Sequence, residues 1–127
     1  MTLPTMLLVD DNPDHLELTL TTLVENGLAH NIVTARDGRE ALDYLFGEGI
    51  HQGRNPDDQP ELVLLDLGMP RMSGLQVMQR MRDDPRTFFV PVVMLTSASE
   101  QSEAVLAFKG GLNSYVSKPL NFRDFEE

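Results

Sequence analysis

Five polar residues each follow or end an apolar run of the sequence. Asp10 and Asp11 adjoin the first run, Asp66 ends a later one, and Thr96 and Lys118 end two more. Carboxylates brought together repel, at ~4 Å and an effective dielectric of ~20 by about 4 kcal/mol per pair, so a cation must offset them. Ligand sets made of oxygen atoms favour Mg²⁺, which typically takes one or two carboxylates and a phosphate oxygen. The set predicts a magnesium site where a carboxylate attacks phosphorus while the hydroxyl and the ammonium neutralise phosphoryl oxygens.

Each of these residues also has a purely structural interpretation. A lone aspartate at a strand end is ordinarily a turn or cap residue, and Asp10 and Asp11 could simply precede a helix whose dipole favours acids. Thr96 could be an ordinary strand residue, and Lys118 a solvated surface lysine. Because separate strand ends rarely supply a complete set by accident, the combination favours chemistry over structure.

The elements that must position these residues alternate between strand-length apolar runs and helix-period stretches, which is typical of an α/β fold. Strands are predicted at Thr5–Asp10, His30–Thr34, Glu61–Asp66, Val90–Thr96 and Ser114–Ser117. Helices are predicted over 13–26, 37–46, 74–83 and 99–109. Within the first and third strands, Met6-Leu7-Leu8-Val9 and Leu62-Val63-Leu64-Leu65 are apolar throughout, as parallel strands covered on both faces are. In an open parallel sheet, ligands bind at the carboxyl ends of the strands, which is where the five polar side chains would meet.

Local signals indicate where the helices begin and end. Asn12 before Pro13 predicts an N-cap followed by proline at the first helical position, and Gly27 predicts the end of that helix. Asp37 with Glu40 resembles a capping box. Apolar stripes predict the buried faces of two helices: Leu16, Leu20, Leu23 and Val24 in the first, and Leu75, Met78 and Met81 in the third.

Composition narrows the class of protein. The chain has 127 residues, 41% of them hydrophobic, and a net charge of −10, so we expect one domain over 1–127 with a packed core. This acidity argues against a nucleic-acid partner. The lack of cysteine excludes disulfides, cysteine–zinc sites and thiol catalysis. No run approaches the roughly 18 apolar residues of a membrane helix, and the first residues lack signal-peptide features, so we expect a cytoplasmic protein with no membrane partner.

Taken together, the motifs resemble the receiver domain of two-component response regulators. The resemblance runs from Met6 to Phe125 and rests on four motifs: Asp10-Asp11 after an apolar strand, Asp66-x-x-Met69-Pro70-x-x-x-Gly74, Thr96-Ser97 and Lys118-Pro119. It implies a flavodoxin-like, doubly wound sheet of five parallel strands in the order 2-1-3-4-5, with helices on both faces. Only 121–127 remain for a fifth helix, so that helix is expected to be largely missing from this chain.

The resemblance also implies a role for each site residue. Asp66 would be the phosphoacceptor. Mg²⁺ would be bound by Asp10, Asp11, Asp66 and the backbone carbonyl of Gly68. Thr96 and Lys118 would bind the phosphoryl oxygens, and Tyr115 would be the switch aromatic that turns inward with Thr96. Tyr115 could equally be a strand aromatic packed on the fourth helix.

A narrower resemblance concerns the partner. Three phrases look like those of single-domain receivers paired with bacterial phytochrome kinases: Tyr44-Leu45-Phe46-Gly47, Asp84-Pro85-Arg86-Thr87 and Asn113-Ser114-Tyr115. They imply that a sensor histidine kinase, or a histidine phosphotransfer protein, donates the phosphoryl group. They also imply a homodimer through the face of the fourth helix and fifth strand.

Three other functions are alternatives to phosphoryl acceptance. One is a receiver-like interaction scaffold that needs no phosphorylation, which would have no use for crowded carboxylates. Another is an aspartate-nucleophile phosphatase, but such enzymes typically carry a second aspartate where this chain has Gly68. The last is nucleotide or flavin binding, which the Asp10–Pro13 segment disfavours because it replaces a glycine-rich phosphate loop. We therefore expect a signalling phosphoacceptor and not an enzyme acting on other substrates.

Overall fold

A sheet of five parallel strands forms the centre of the molecule. The computed structural model describes residues 5–27, 31–96 and 114–117, the last four as backbone only. The strands are β1 (Met6–Val9), β2 (Ile32–Ala35), β3 (Leu62–Asp66), β4 (Val92–Thr96) and β5 (Ser114–Ser117). Their order across the sheet is β2-β1-β3-β4-β5, and every neighbouring pair is parallel. The fold class and the strand order predicted from the sequence are confirmed.

Helices connect the strands in the described part of the chain. They are α1 (Pro13–Glu25), α2 (Gly38–Phe46) and α3 (Gly74–Arg82), with a short 3₁₀ turn at Gly49–His51 that the sequence analysis did not predict. The predicted helix over 99–109 and the expectation of a largely missing fifth helix concern residues outside the described ones. No helix among the described residues is long and apolar enough to cross a bilayer.

The boundaries of α1 follow the local signals. The side chain of Asn12 accepts hydrogen bonds from the backbone N–H groups of Asp14 and His15, and Pro13 occupies the first turn. Gly27 follows the helix with a φ of 64°, a left-handed conformation that glycine adopts without steric cost. The predicted N-cap and the predicted helix end are both confirmed.

The capping box predicted at α2 is only half formed. Asp37 accepts a hydrogen bond from the N–H of Glu40 at 2.7 Å, as predicted, but the Glu40 carboxylate accepts from the N–H of Arg36, at 3.4 Å. A complete box instead begins α3, where Ser73 and Gln76 bond each other's backbone N–H groups. The α3 helix is therefore fixed at its first residue by reciprocal hydrogen bonds.

The core consists of two layers, one on each face of the sheet. Alternate residues of β1 point to opposite faces: Leu7 and Val9 pack with α2 and α3, while Leu8 packs with α1. This arrangement explains why β1 and the first four residues of β3 are all apolar, since both faces of these strands are covered. The covering helices hold the ends of β1 and β3, and with them Asp10 and Asp66, in fixed positions.

The predicted apolar stripes are confirmed except at one residue. Leu23 is buried, and Leu16 and Leu20 are partly buried against the same layer. Val24, however, is 59% exposed, so its assignment to the stripe was wrong. Successive residues of a helix are about 100° apart, so Val24 points away from the sheet because Leu23 points toward it. In α3, Met78 and Met81 are buried and Leu75 packs against them.

Candidate metal centre

Three predicted carboxylates meet at the carboxyl ends of β1 and β3. These strands are neighbours, and Val9 pairs with Leu65, so the residues that follow, Asp10 and Asp66, lie at the same level of the sheet. Oxygen atoms of Asp10, Asp11 and Asp66 all lie within 4.8 Å of one another. Asp10 is 1% exposed and Asp66 4% exposed, whereas Asp11 faces solvent. These three residues form a small acidic pocket, in which the side chains of Asp10 and Asp66 are buried and that of Asp11 is exposed.

The turn between β1 and α1 fixes the orientation of Asp10. Its backbone N–H donates to the carbonyl of Ala35 on β2 at 3.1 Å. One carboxylate oxygen, Oδ1, accepts a hydrogen bond from the N–H of Asn12 at 3.0 Å. Since Asn12 also caps α1, the start of that helix and the side chain of Asp10 are positioned together.

The turn after β3 orients Asp66 in a similar way. The N–H of Gly68 lies 3.3 Å from Oδ1 of Asp66 and donates to it. The next residue, Leu67, donates its own N–H to the carbonyl of Leu95 on β4 at 3.0 Å. The end of β3 is thus held by the neighbouring strand and by its own loop.

The donor set fits a hard divalent cation. Its ligand atoms are carboxylate oxygens, which suit Mg²⁺, Ca²⁺ or Mn²⁺ better than metals that prefer nitrogen or sulfur. Three carboxylates within 4.8 Å repel one another, and a divalent ion among them would replace that repulsion with attraction. The residues present therefore match the predicted metal site in chemistry and in proximity.

The other predicted site residues differ in how far the structure describes them. Thr96 is buried at the carboxyl end of β4, and its neighbour Leu95 pairs with Asp66, so Thr96 belongs to the same edge of the sheet. Tyr115 lies in β5 opposite Met94, but its side chain is outside the described part. Lys118 is also outside it. The functional roles predicted for these residues remain predictions.

A cleft of about 500 Å³ opens beside the acidic pocket, between α1 and the end of β2. Its lining combines the acidic pair with apolar residues of α1 and with polar residues at the end of β2: Asp10, Asp11, Pro13, Leu16, Glu17, Leu20, Thr34 and Arg36. Asp10 and Asp11 therefore border a cleft that is open to solvent, although Asp10 itself is buried.

The backbone of the loop between β3 and α3 has two features beyond those predicted from the sequence. Arg71 has a φ of 67° and is the one non-glycine residue in the described segments with a positive φ. The helix that follows begins at Gly74, where a Cβ atom would lie 2.5 Å from the backbone oxygen of Asp66. Gly74 belongs to the motif that carries the family resemblance, but its close contact with the backbone of Asp66 is visible only in the structure. The positive φ of Arg71 has no signal in the local sequence.

The solved structures most relevant to this site are of response regulators. The bacteriophytochrome response regulator AtBRR is 46% identical, covers 98% of this chain and 89% of its own, and superposes with a TM-score of 0.88. The bacteriophytochrome response regulator RtBRR is 42% identical over 98% of this chain and 74% of its own, also with a TM-score of 0.88. An Mn²⁺-bound form of the response regulator Rcp1 is 27% identical over 96% of this chain and 86% of its own, with a TM-score of 0.80.

Curated sequences agree with the structures. A probable methanogenesis regulatory protein, FilR2 of Methanothrix harundinacea, is 36% identical over 121 residues, which are 95% of this chain and 76% of FilR2. Other relatives are much longer: the chain spans 24% of a probable cyclic di-GMP phosphodiesterase of Vibrio cholerae, with 37% identity. The response regulator receiver domain family matches residues 6–127, and the chain therefore belongs to that family of two-component signalling domains, as its motifs predicted.

Proposed function

We propose that this receiver domain accepts a phosphoryl group on Asp66 from a phosphohistidine, with Mg²⁺ required. The observation that carries the proposal is the meeting of Asp10, Asp11 and Asp66, whose carboxylate oxygens lie within 4.8 Å of one another. Two of these carboxylates are buried. Buried like charges are unfavourable unless opposite charge offsets them, and a bound divalent cation would supply that charge.

The proposed reaction transfers a phosphoryl group from an imidazole nitrogen of the donor to a carboxylate oxygen of Asp66. A carboxylate oxygen of Asp66 attacks the phosphorus atom, a P–O bond forms, and the P–N bond to the donor's imidazole breaks. The imidazole nitrogen takes up a proton and leaves as a neutral histidine side chain. The N–H of Gly68, which donates to Oδ1 of Asp66, orients the nucleophile by holding one of its two oxygens.

Asp10, Asp11, Asp66 and the backbone carbonyl of Gly68 would hold the Mg²⁺. When bound, the ion supplies positive charge that offsets the negative charge of the phosphoryl oxygens. A divalent cation is supported by the all-oxygen donor set and by the Mn²⁺-bound form of Rcp1. The choice of Mg²⁺ rests on the resemblance to receiver domains.

The remaining roles follow from the same resemblance. Thr96 and Lys118 would bind phosphoryl oxygens, and Thr96 with Tyr115 would form the switch that reports phosphorylation. The position of Thr96 at the same edge as Asp66 supports its role. The output would be a change in protein binding, for instance a homodimer formed through the fourth helix and β5.

The donor would be a sensor histidine kinase of the phytochrome class or a histidine phosphotransfer protein. This assignment is supported by two similar structures that are bacteriophytochrome response regulators. We place the interaction in the cytoplasm, with 1–127 acting as one domain and with neither nucleic acid nor membrane as a partner.

The test is phosphorylation by a small-molecule donor. The protein is incubated with acetyl phosphate and MgCl₂, and intact mass spectrometry is used to look for an increment of one phosphoryl group. We expect the increment in the wild type, its loss when EDTA replaces Mg²⁺, and its loss in Asp66→Asn. An Asp43→Asn variant is the matched control, because Asp43 is also a buried carboxylate but lies in α2.

Each result separates the proposal from its alternatives. A wild type that gains no mass under any metal would favour the phosphorylation-independent scaffold. Continuous turnover of a small phosphate ester without a stable increment would favour a phosphatase. A phosphorylated Asp66→Asn protein would place the acceptor elsewhere.

The proposed switch has its own test. Thr96→Ala should still be phosphorylated at Asp66 but should lose most of the phosphorylation-dependent change in self-association, measured by sedimentation velocity. Coupling that stays at the wild-type level in Thr96→Ala would leave Thr96 a purely structural residue.

A further inference from the structure

The α3 helix begins in direct contact with the backbone of Asp66. At Gly74, the first residue of α3, a Cβ atom would lie 2.5 Å from the carbonyl oxygen of Asp66 and 3.0 Å from the Cα of Leu67. The N–H of Gly74 donates to the carbonyl of Leu67 at 3.0 Å. An ordinary contact of a methyl group needs more than about 3.4 Å, so any side chain at this position would force the helix and the end of β3 apart.

The helix is not free to retreat from such a clash. Its first turn is fixed by the capping box of Ser73 and Gln76. On its other side it packs against α2, where a Cβ atom at Gly38 would lie 2.9 Å from the side chain of Val77. Because α2 and the cap hold α3 in place, much of the displacement would fall on the peptide of Asp66.

We propose that Gly74 is a positioning residue for the metal centre: by allowing α3 to touch the backbone of Asp66, it places that carboxylate within reach of Asp10 and Asp11. The inference rests on the proposed function, because it assumes that these three carboxylates bind a divalent cation. It goes further by assigning the placement of the acceptor to the start of a helix that contributes no ligand.

The relative affinities for Mg²⁺ and Ca²⁺ can test this role of Gly74. Mg²⁺ needs nearly ideal octahedral geometry at short distances, whereas Ca²⁺ tolerates irregular sites. A displaced Asp66 should therefore weaken Mg²⁺ more than Ca²⁺. A change that only lowers the stability of the fold would leave the ratio of the two affinities unaltered in the folded protein.

The experiment measures the dissociation constants of MgCl₂ and CaCl₂ by isothermal titration calorimetry for the wild type and Gly74→Ala at 10 °C. We expect the constant for Mg²⁺ to rise about tenfold and that for Ca²⁺ no more than about threefold. Leu23→Ala is the control for lost stability, because Leu23 is buried in α1 on the opposite face of the sheet and packs with neither α3 nor Asp66. Its ratio should equal that of the wild type.

A second variant covers the case in which Gly74→Ala does not fold. Ser73→Ala removes the cap of α3 without adding bulk, and we expect it to change the Mg²⁺ to Ca²⁺ ratio in the same direction by about twofold. An unchanged ratio in Ser73→Ala and in any folded Gly74→Ala would overturn the inference while leaving the proposed function intact. A wild type that binds neither cation would instead remove the proposed metal site itself.

Discussion

The two edges of the sheet place their charges in opposite ways. At the carboxyl-terminal edge, three carboxylates are brought within 4.8 Å of one another. At the amino-terminal edge, formed by loops 47–61 and 83–91 that precede β3 and β4, opposite charges are paired instead. Arg86 donates to both carboxylate oxygens of Asp84, at 3.0 and 2.8 Å, and lies over the ring of Phe46. One edge thus pairs opposite charges, and the other brings like charges close together.

Arginine side chains also tie down the loops of the amino-terminal edge. The guanidinium of Arg54 lies 3.9 Å from the ring centroid of Tyr44 and donates to the carbonyls of Asn55 and Asp58. Arg82 donates to the carbonyl of Phe88 at 3.0 Å and to that of Val90 at 2.8 Å. These bonds give long loops a fixed shape without regular secondary structure. None of these arginine contacts involves Asp10, Asp11 or Asp66, so we expect the loops to be held in place without an effect on the acidic pocket.

The largest effect on stability is expected for Arg54→Ala. Loss of the stack on Tyr44 and of two backbone hydrogen bonds should lower the free energy of unfolding by about 2–3 kcal/mol, measured by urea denaturation. Because the loop lies at the opposite edge, the affinity for Mg²⁺ should not change. Arg54→Lys should recover little, since a lysine cannot reproduce the planar stack. Weakened metal binding in Arg54→Ala would mean that the two edges are coupled.

The second effect has the opposite sign. Asp10→Asn removes one of three neighbouring charges and keeps an oxygen for the N–H of Asn12. We expect it to raise the free energy of unfolding by about 1–2 kcal/mol in the presence of EDTA. Asp43→Asn, whose carboxylate pairs with Arg39 at 3.2 Å, should lower it by about 0.5 kcal/mol. If both variants shift the free energy of unfolding in the same direction, the charge of Asp10 does not destabilise the fold as we expect.

Without metal, Asp10→Asn should be more stable than the wild type. With saturating Mg²⁺, the wild type should have the higher free energy of unfolding. A ligand that binds only the folded state adds about 2.7 kcal/mol at a hundred times its dissociation constant, and Asp10→Asn should receive much less of this gain. Urea denaturation repeated with MgCl₂ measures it. A wild type that gains no stability from Mg²⁺ would contradict the assignment of the acidic pocket as a metal centre.

A smaller effect is expected in the loop after β3. Arg71 holds a left-handed backbone conformation, which an L-residue with a side chain adopts at a cost that glycine avoids. Arg71→Gly should therefore raise the free energy of unfolding by about 0.5–1 kcal/mol. Arg71→Lys keeps the strained backbone and should stay within about 0.5 kcal/mol of the wild type. A destabilised Arg71→Gly would show that the arginine side chain has contacts that outweigh the strain.

The smallest effect concerns a titration at the amino-terminal edge. Hydrogen bonds from Arg86 lower the pKa of Asp84 to about 2. Because the folded-state pKa is depressed, the contribution of this pair to stability is present above about pH 4, the unfolded value, and is lost as the pH falls toward 2. In Arg86→Gln the pKa of Asp84, followed by NMR, should rise toward about 3.9. A pKa that stays near 2 would assign the shift to the backbone alone.

Much of the fold was predictable because its signals are local. Continuous apolar runs indicated β1 and β3, and the order of the strands came from the family resemblance. Boundaries were less accurate: β2 ends at Ala35 and not at Thr34, because pairing with Val9 extends the strand by one residue. Val24 was misassigned because it lies at the edge of the apolar stripe. The sequence pattern alone does not show whether a residue at that edge is buried or exposed.

The site was predictable to the extent that it depends on strand ends. Asp10, Asp11 and Asp66 each follow or end an apolar run, and the rule for parallel sheets places such residues at one edge. The sequence motif included Gly74, but neither its close contact with the backbone of Asp66 nor the stack of Arg54 on Tyr44 was predictable. Each contact joins a helix to a residue eight to ten positions away through an irregular loop, whose path the sequence pattern does not specify. The stack of Arg54 on Tyr44 joins a loop to a helix, and no periodicity or turn signal marks such a pair.

The stack of Arg54 on Tyr44 also has a spectroscopic consequence. The chain has no tryptophan and two tyrosines, so its intrinsic ultraviolet emission comes from Tyr44 in α2 and Tyr115 in β5. A phenylalanine at position 44 would keep an aromatic ring beneath the guanidinium while removing one of the two fluorophores. A Tyr44→Phe protein would thus carry a single natural fluorophore on the last strand, and its emission would follow events there without an attached dye.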